Sequence, residues 1–157
     1  MEISLKQVSV DLNASGSYNG SHKTFGTLQT VFNEPSMSYR SGKIVDITLI
    51  VSGSSNTMDL DLLFFPQSVT VQSDQNASLS MSFSDLKNCT GRIRVDDADF
   101  AQIGNSLMAN LYNVNMTFKS NKLYVLGVIQ AGNISLPSTD SVHLNLGCEF
   151  GQSNPIL

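Results

Sequence analysis

The sequence predicts an all-β domain, and three observations carry that prediction. Short stretches alternate apolar and polar residues, most clearly where Val142, Leu144, Leu146, Cys148 and Phe150 interleave with His143, Asn145, Gly147 and Glu149. Side chains on a strand point to opposite faces with a period of two, so such a segment buries one face and wets the other. Clusters of Ser, Asn, Gly and Asp separate these stretches and mark turns. The pattern recurs along the chain, and no long helix is foreseen.

Taken in order, Val8, Val10 and Leu12 alternate with Ser9 and Asp11 and predict a first strand ending near Leu12. Residues 13–23 are rich in Ser, Gly and Asn and read as a loop. Residues 25–32 form a second strand, ended by Asn33-Glu34-Pro35. Residues 43–51 carry Ile44, Val45, Ile47, Leu49, Ile50 and Val51, mostly β-branched as a buried pleated surface favours. Residues 52–56 make a turn, and residues 58–65 return as a strand that Pro66 stops, because proline cannot donate to a ladder. These two strands are expected to pair as a hairpin.

Within residues 69–86, Val69 and Val71 give a brief strand, and Leu79, Met81 and Phe83 alternate with serines; serine is a poor helix former, so extended or irregular chain is expected. Residues 92–95 form a short strand after Gly91, and residues 96–104 hold a helical turn around Phe100 and Ile103. Residues 107–118 and 123–130 read as a second hairpin around the polar turn 119–122. Residues 131–141 loop across to the last strand, and residues 151–157 form a loose tail. The sum is eight or nine antiparallel strands in a β-sandwich, jelly-roll-like connectivity being favoured over an up-and-down barrel by the two long connections.

At 157 residues the chain fits one domain spanning residues 1–157. A domain of about 150 residues buries roughly 70% of its unfolded surface, enough for a core without metal or disulfide. Charged residues make up 14%, below the roughly 25% of ordinary soluble domains, so the polar surface comes from Ser, Thr, Asn and Gln. The net charge of −4 and scattered basic residues argue against nucleic acid or anionic lipid as partners. The opening residues lack a basic stretch followed by an apolar core, so no secretory signal is expected. Without a secretory context, Cys89 and Cys148 are expected to be free thiols. Six Asn-x-Ser/Thr matches begin at Asn13, Asn19, Asn76, Asn88, Asn115 and Asn133. They read as a by-product of composition, with Asn115 placed mid-strand where a glycan would be awkward.

No catalytic residue, cofactor or metal is assigned. Asp96, Asp97 and Asp99 cluster after a strand, but calcium takes about six to eight converging oxygens, and the spaced loop with a terminal Glu is missing. Turn capping explains these aspartates at less cost. His22 lies in a polar loop and His143 on the outward face of the last strand, neither in a nucleophile elbow. The cysteines lack zinc spacing, and no Gly-rich phosphate loop follows a strand. A hydrolase remains open only if two carboxylates face each other across a cleft.

Three stretches carry a family resemblance: 11–26, a Gly/Ser/Tyr loop leading to a strand; 44–65, IVDITLIVSGSSNTMDLDLLFF; and 122–132, KLYVLGVIQAG, followed by 141–147. In this order they resemble small all-β virion proteins of tailed bacteriophages. The resemblance implies capsid decoration (cement) or head-fibre-type proteins, with no enzymatic residues to carry over. It implies a partner in the major capsid protein of a phage shell, a homo-oligomer with a trimer favoured, and a place on the capsid exterior after assembly in the host cytoplasm. The docking element is expected in the N-terminal strand, with Met1, Ile3, Leu5, Val8 and Val10 as its residues, since strand addition to a sheet edge is a known recognition mode. The alternative is that Val8, Val10 and Leu12 belong to the chain's own sheet. A competing function is a carbohydrate- or receptor-binding module of a phage fibre, using Tyr18, Tyr39 and the cluster of Asp96, Asp97 and Asp99.

Overall fold

The computed structural model describes residues 3–34, 41–70 and 77–151. Among these residues there are eleven strands: β1 (Ile3–Asp11), β2 (Gly16–Asn19), β3 (Lys23–Asn33), β4 (Ser41–Ser52), β5 (Thr57–Phe65), β6 (Gly91–Val95), β7 (Phe100–Ile103), β8 (Ser106–Leu111), β9 (Met116–Lys119), β10 (Lys122–Leu136) and β11 (Val142–Gly151). One short helix, α1 (Phe83–Lys87), and a single 3-10 turn, Asp97–Asp99, interrupt them. The first sheet runs β1-β11-β4-β8-β7, with β9 also on β4; the second runs β2-β10-β5-β6, with β3 also on β10. All pairings between these strands are antiparallel.

This order places the first and last strands side by side and sends successive connections from one sheet to the other, which is jelly-roll connectivity. Counting β2 with β3, and β8 with β9, as single interrupted strands gives the expected eight positions, and the short β7 adds a ninth. The inner faces meet in one core that includes Leu12, Phe25, Ile47, Leu49, Leu60, Leu62, Phe64, Val125, Leu144 and Leu146. Three aromatic rings, Phe32, Phe118 and Phe150, close one end of that core with centroids 5.4 to 5.8 Å apart.

Both expected hairpins are corrected. β4 and β5 are consecutive but lie in different sheets. The turn between them is a corner: Gly53 adopts φ +99°, and the buried Asn56 side chain donates to Ser52 O (2.9 Å) and Ser135 O (3.2 Å) while accepting from the Ser135 amide (2.8 Å). That anchor draws the chain onto β10 instead of back along β4. The strand expected over 107–118 is broken at residues 112–115, where Asn113 and Asn115 have positive φ, and β10 then crosses into the second sheet.

Other boundaries move as well. β1 starts at Ile3, five residues before Val8; β2 lies inside the expected 13–23 loop; β10 continues to Leu136 through the expected 131–141 loop; and β7 replaces the second half of the helical turn over 96–104. Ser82 caps α1 by accepting from the Asp85 amide at 3.0 Å, so part of the serine-rich stretch is helical. Val69 lies outside any strand, and Val71, Tyr39, Asn76 and residues 152–157 fall outside the described residues. Asn115 is exposed and off any strand, so the steric argument against a glycan there does not hold.

The two sheets differ on their outer faces. Residues 66–70 and 77–90 supply cover for the second sheet, where Val69 packs with Leu63, Phe65, Leu126 and Val128, and Leu79, Met81 and Cys89 lie against them. Beside this patch the Asp61 carboxyl, on a residue only 2% exposed, accepts from Arg94 Nε (2.6 Å) and Nη2 (3.3 Å) and from Gln130 Nε2 (2.9 Å). That hydrogen bonding raises the Arg94 guanidinium further above its ordinary value. Asp61→Ala strands these donors, but the arginines are partly exposed and regain water, so a loss of about 1–3 kcal/mol is expected in urea denaturation, with Asp61→Asn losing less.

Cys89 and Cys148 are free. Burial pushes the Cys148 thiol up to about 11, with the Asp46 charge adding to the rise and Lys6 opposing it; burial also raises Cys89. The native protein at pH 8 is therefore expected to react slowly with iodoacetamide, Cys148 slowest, and both thiols fast once unfolded. Because the folded value of Cys148 lies above its ordinary 9.0, its contribution to stability is complete below pH 9 and is lost as the pH rises through about 11. Thermal melts across that interval check the sign.

Candidate functional site

Among the described residues β1 is the edge strand of the first sheet and pairs with β11 alone, residue for residue from Ile3 opposite Gly151 to Asp11 opposite His143, without a bulge. The Leu12 amide donates to Val142 O at 3.1 Å. Antiparallel pairs alternate between bonded and non-bonded. Asp11 and His143 are thus a non-bonded pair, and Val10, Val8 and Lys6 exchange hydrogen bonds with β11. The backbone N–H and C=O groups of Ile3, Leu5, Gln7, Ser9 and Asp11 therefore point away from the sheet. The open edge is a row of donors and acceptors at alternate residues.

The proposed docking residues divide accordingly. Val10 is buried in the core and Val8 packs against it, so both side chains serve the chain's own sandwich. Leu5 is 75% exposed. Ile3 contributes its pairing to Gly151, and Met1 lies outside the described residues.

The outer face beside this edge is polar, and no described residue covers it. Ser9 Oγ donates to Asn145 Oδ1 (2.7 Å), and the two His143 ring nitrogens face Asp11 Oδ1 (2.7 Å) and Asn145 Oδ1 (3.0 Å). Further across, Thr48 Oγ1 donates to Asn110 Oδ1 (2.8 Å), and Lys43 Nζ lies 3.4 Å from Glu149 Oε2. Two depressions mark this face. One, of about 540 Å³, is lined by Ser41, Lys43, Thr117, Lys119 and Glu149. The other, of about 400 Å³, adjoins β1 and is lined by Leu5, Gln7, Asp46, Thr48, Asn145 and Gly147. Gly147 stands opposite Gln7 on one side and Asp46 on the other. A Cβ at Gly147 would collide with the Asp46 carboxylate, so that carboxylate lies over the bare backbone of β11.

Other candidates fall elsewhere. Tyr18 is fully buried, edge-on to Phe25 with centroids 5.0 Å apart, which removes it as an exposed sugar platform. Asp59 accepts from the Asp97 amide (2.8 Å), Asp97 from the Met58 amide (3.0 Å) and Asp99 from the Asp96 amide (2.9 Å). These carboxylates tie the 3-10 turn to β5. Among the described residues no group of three or more His, Cys, Asp or Glu side chains is placed to hold a metal ion, and no helix is long and apolar enough to cross a membrane. Exposed apolar side chains also occur at Phe83, Leu86, Ile103 and Tyr112.

Sequence reasoning missed the Asp46–Gly147 depression, because only the β4–β11 register brings those residues together. Pro substitutions separate the two sides of β1. Gln7→Pro removes an amide that faces solvent, whereas Val8→Pro removes one bonded to β11. Val8→Pro is expected to cost about 3 kcal/mol or more, a Tm lower by about 6 °C or more for a domain of this size. Gln7→Pro is expected to melt close to the parent, and calorimetry of the pair checks the assignment.

The strand order and two packed sheets define the chain as a jelly-roll β-sandwich. No known family profile matches the sequence, and no curated protein matches it. Solved structures that it is similar to include that of tomato aspermy virus, at 10% identity and a TM-score of 0.41, covering 99% of this chain and 81% of that chain. An expanded equine rhinitis A virus particle, a picornavirus capsid, gives 8% identity and 0.41, covering 98% and 76%. Turnip yellow mosaic virus gives 12% identity and 0.37, covering 99% and 83%.

Proposed function

We propose that this chain is a structural virion protein that decorates or stabilises a phage capsid, docking through the open edge of β1. The observation that supports this reading most directly is that edge: a nine-residue strand with five outward-facing backbone sites, no proline, no bulge and, among the described residues, no covering element. An extended segment of the major capsid protein would add to it as a further strand, main-chain hydrogen bonds supplying affinity. Leu5, beside the edge, adds apolar contact. The strand patterns shared with small tailed-phage virion proteins support the same role, and the rigid sandwich suits a part that must present one surface many times over. A homo-oligomer, with a trimer at the shell's three-fold positions, would multiply weak individual contacts.

Co-sedimentation with purified expanded and unexpanded shells tests the proposal. Binding to at least one form is expected, lost in Gln7→Pro and kept in a Ser84→Ala control on the far side of the molecule. Failure of the parent protein to bind either shell removes the reading.

A further inference from the structure

The edge of β1 accepts any extended chain through its backbone; the neighbouring depression does not accept any side chain. Asp46 makes no hydrogen bond or ion pair among the described residues, and its carboxylate lies over Gly147. A strand added beyond β1 places alternate side chains on this same outer face. Adjacent strands lie about 4.8 Å apart, so a residue opposite Gln7 sits roughly 9.6 Å, two spacings, from Gly147. A long extended side chain plus one charge-assisted hydrogen bond of about 2.8 Å crosses that distance, passing over Gln7 to the Asp46 carboxylate.

We infer that the segment recognised by β1 carries a lysine or arginine on its outward face opposite Gln7, whose head group pairs with Asp46 in the depression over Gly147. The inference rests on the reading of β1 as a docking edge and names the chemistry of its partner. Charge complementarity singles out the occupant. The face offers a carboxylate that pairs with no cation among the described residues, on a chain of net charge −4, and the outward residues of β1 itself, Leu5, Gln7, Ser9 and Asp11, contain no cation. A second copy pairing edge to edge through β1 would leave Asp46 unmatched. Lys6 also borders the depression, but it is exposed and forms no ion pair with Asp46.

The test uses three nine-residue acetylated peptides of alternating Thr and Val with Lys, Gln or Glu at the central Thr position, titrated into the isotopically labelled protein and followed by amide chemical shifts. The Leu5, Gln7, Ser9 and Asp11 amides are expected to move with each peptide. The Lys peptide should bind roughly threefold to fivefold more tightly than the Glu peptide, as suits a solvent-accessible pair. The difference should vanish in Asp46→Asn and shrink at 0.5 M salt. Equal affinity for Lys and Glu peptides, or a preference that survives Asp46→Asn, overturns the inference while leaving the edge reading intact. Binding undiminished in Gln7→Pro, whose fold the calorimetry above monitors, overturns the edge reading itself, as does absence of any shift at β1. Shifts of the same amides with protein concentration alone, not reversed by peptide, identify a second copy as the occupant and overturn the inference.

Discussion

The mutual burial of two inner sheet faces is the interaction on which the rest of this molecule depends. Ile47, Leu49 and Val51 of β4 and Leu144 and Leu146 of β11 share one cluster with Leu60, Leu62 and Phe64 of β5 and Val125 and Ile129 of β10. Each such side chain contributes about 1.5–3 kcal/mol on full burial, so the cluster outweighs any polar contact in the structure. It also fixes register. A slip of one residue along β11 would turn Leu144 and Leu146 outward and bring His143 and Asn145 into the core. The outward polar ladder that joins β1 to β11 is thus a by-product of apolar packing.

The same packing decides which surfaces stay open. The last strand enters between β1 and β4, which leaves β1, among the described residues, with one partner and one bare edge. On the other sheet, Leu63, Phe65, Leu126 and Val128 face outward, and Val69, Leu79, Met81 and Cys89 pack over this second apolar face. Among the described residues the first sheet has no such cover, and its outward positions are mostly Ser, Thr, Asn, Gln, His and charged side chains that water can solvate, with Leu5 exposed near one end. One outer face is sealed and the other is available.

How much of this was legible in the sequence follows from what each element needs. The β11 pattern was plain because half of that strand is wet, and the β-branched run of β4 was equally plain. The corner after β4 was misread because Gly, Ser and Asn serve a hairpin and an inter-sheet corner alike. What separates the two is the bond of Asn56 to Ser135, seventy-nine positions away, and no local pattern carries that. β10 was cut short because Ala131-Gly132-Asn133 resembles a break, yet Gly132 takes φ +142° and the strand continues past it. The α1 start did have a signal in Ser82 followed three residues later by Asp85, a capping pattern outweighed by the serine content. β1 could be read as an apolar strand, but its edge position depends on β11 arriving last and pairing with it.

Edges of soluble sheets are ordinarily blunted by shortness, charge, proline or a bulge. Here β7 has four residues, and β6 carries Arg92 and Arg94, which engage Asp61 and mark that edge with charge. β1 has nine residues, one lysine near its middle and an aspartate at its end. A strand so lightly guarded is a liability in an isolated monomer and an asset where a specific partner covers it. Few charges on the adjoining face make that covering less costly, since hydroxyls and amides lose less on leaving water than ions do. Asp46 is the exception on this surface. A carboxylate without a partner among the described residues, beside an open edge, would disfavour an acidic strand and favour a cationic one, so one group would both guard β1 against indiscriminate pairing and select what it accepts.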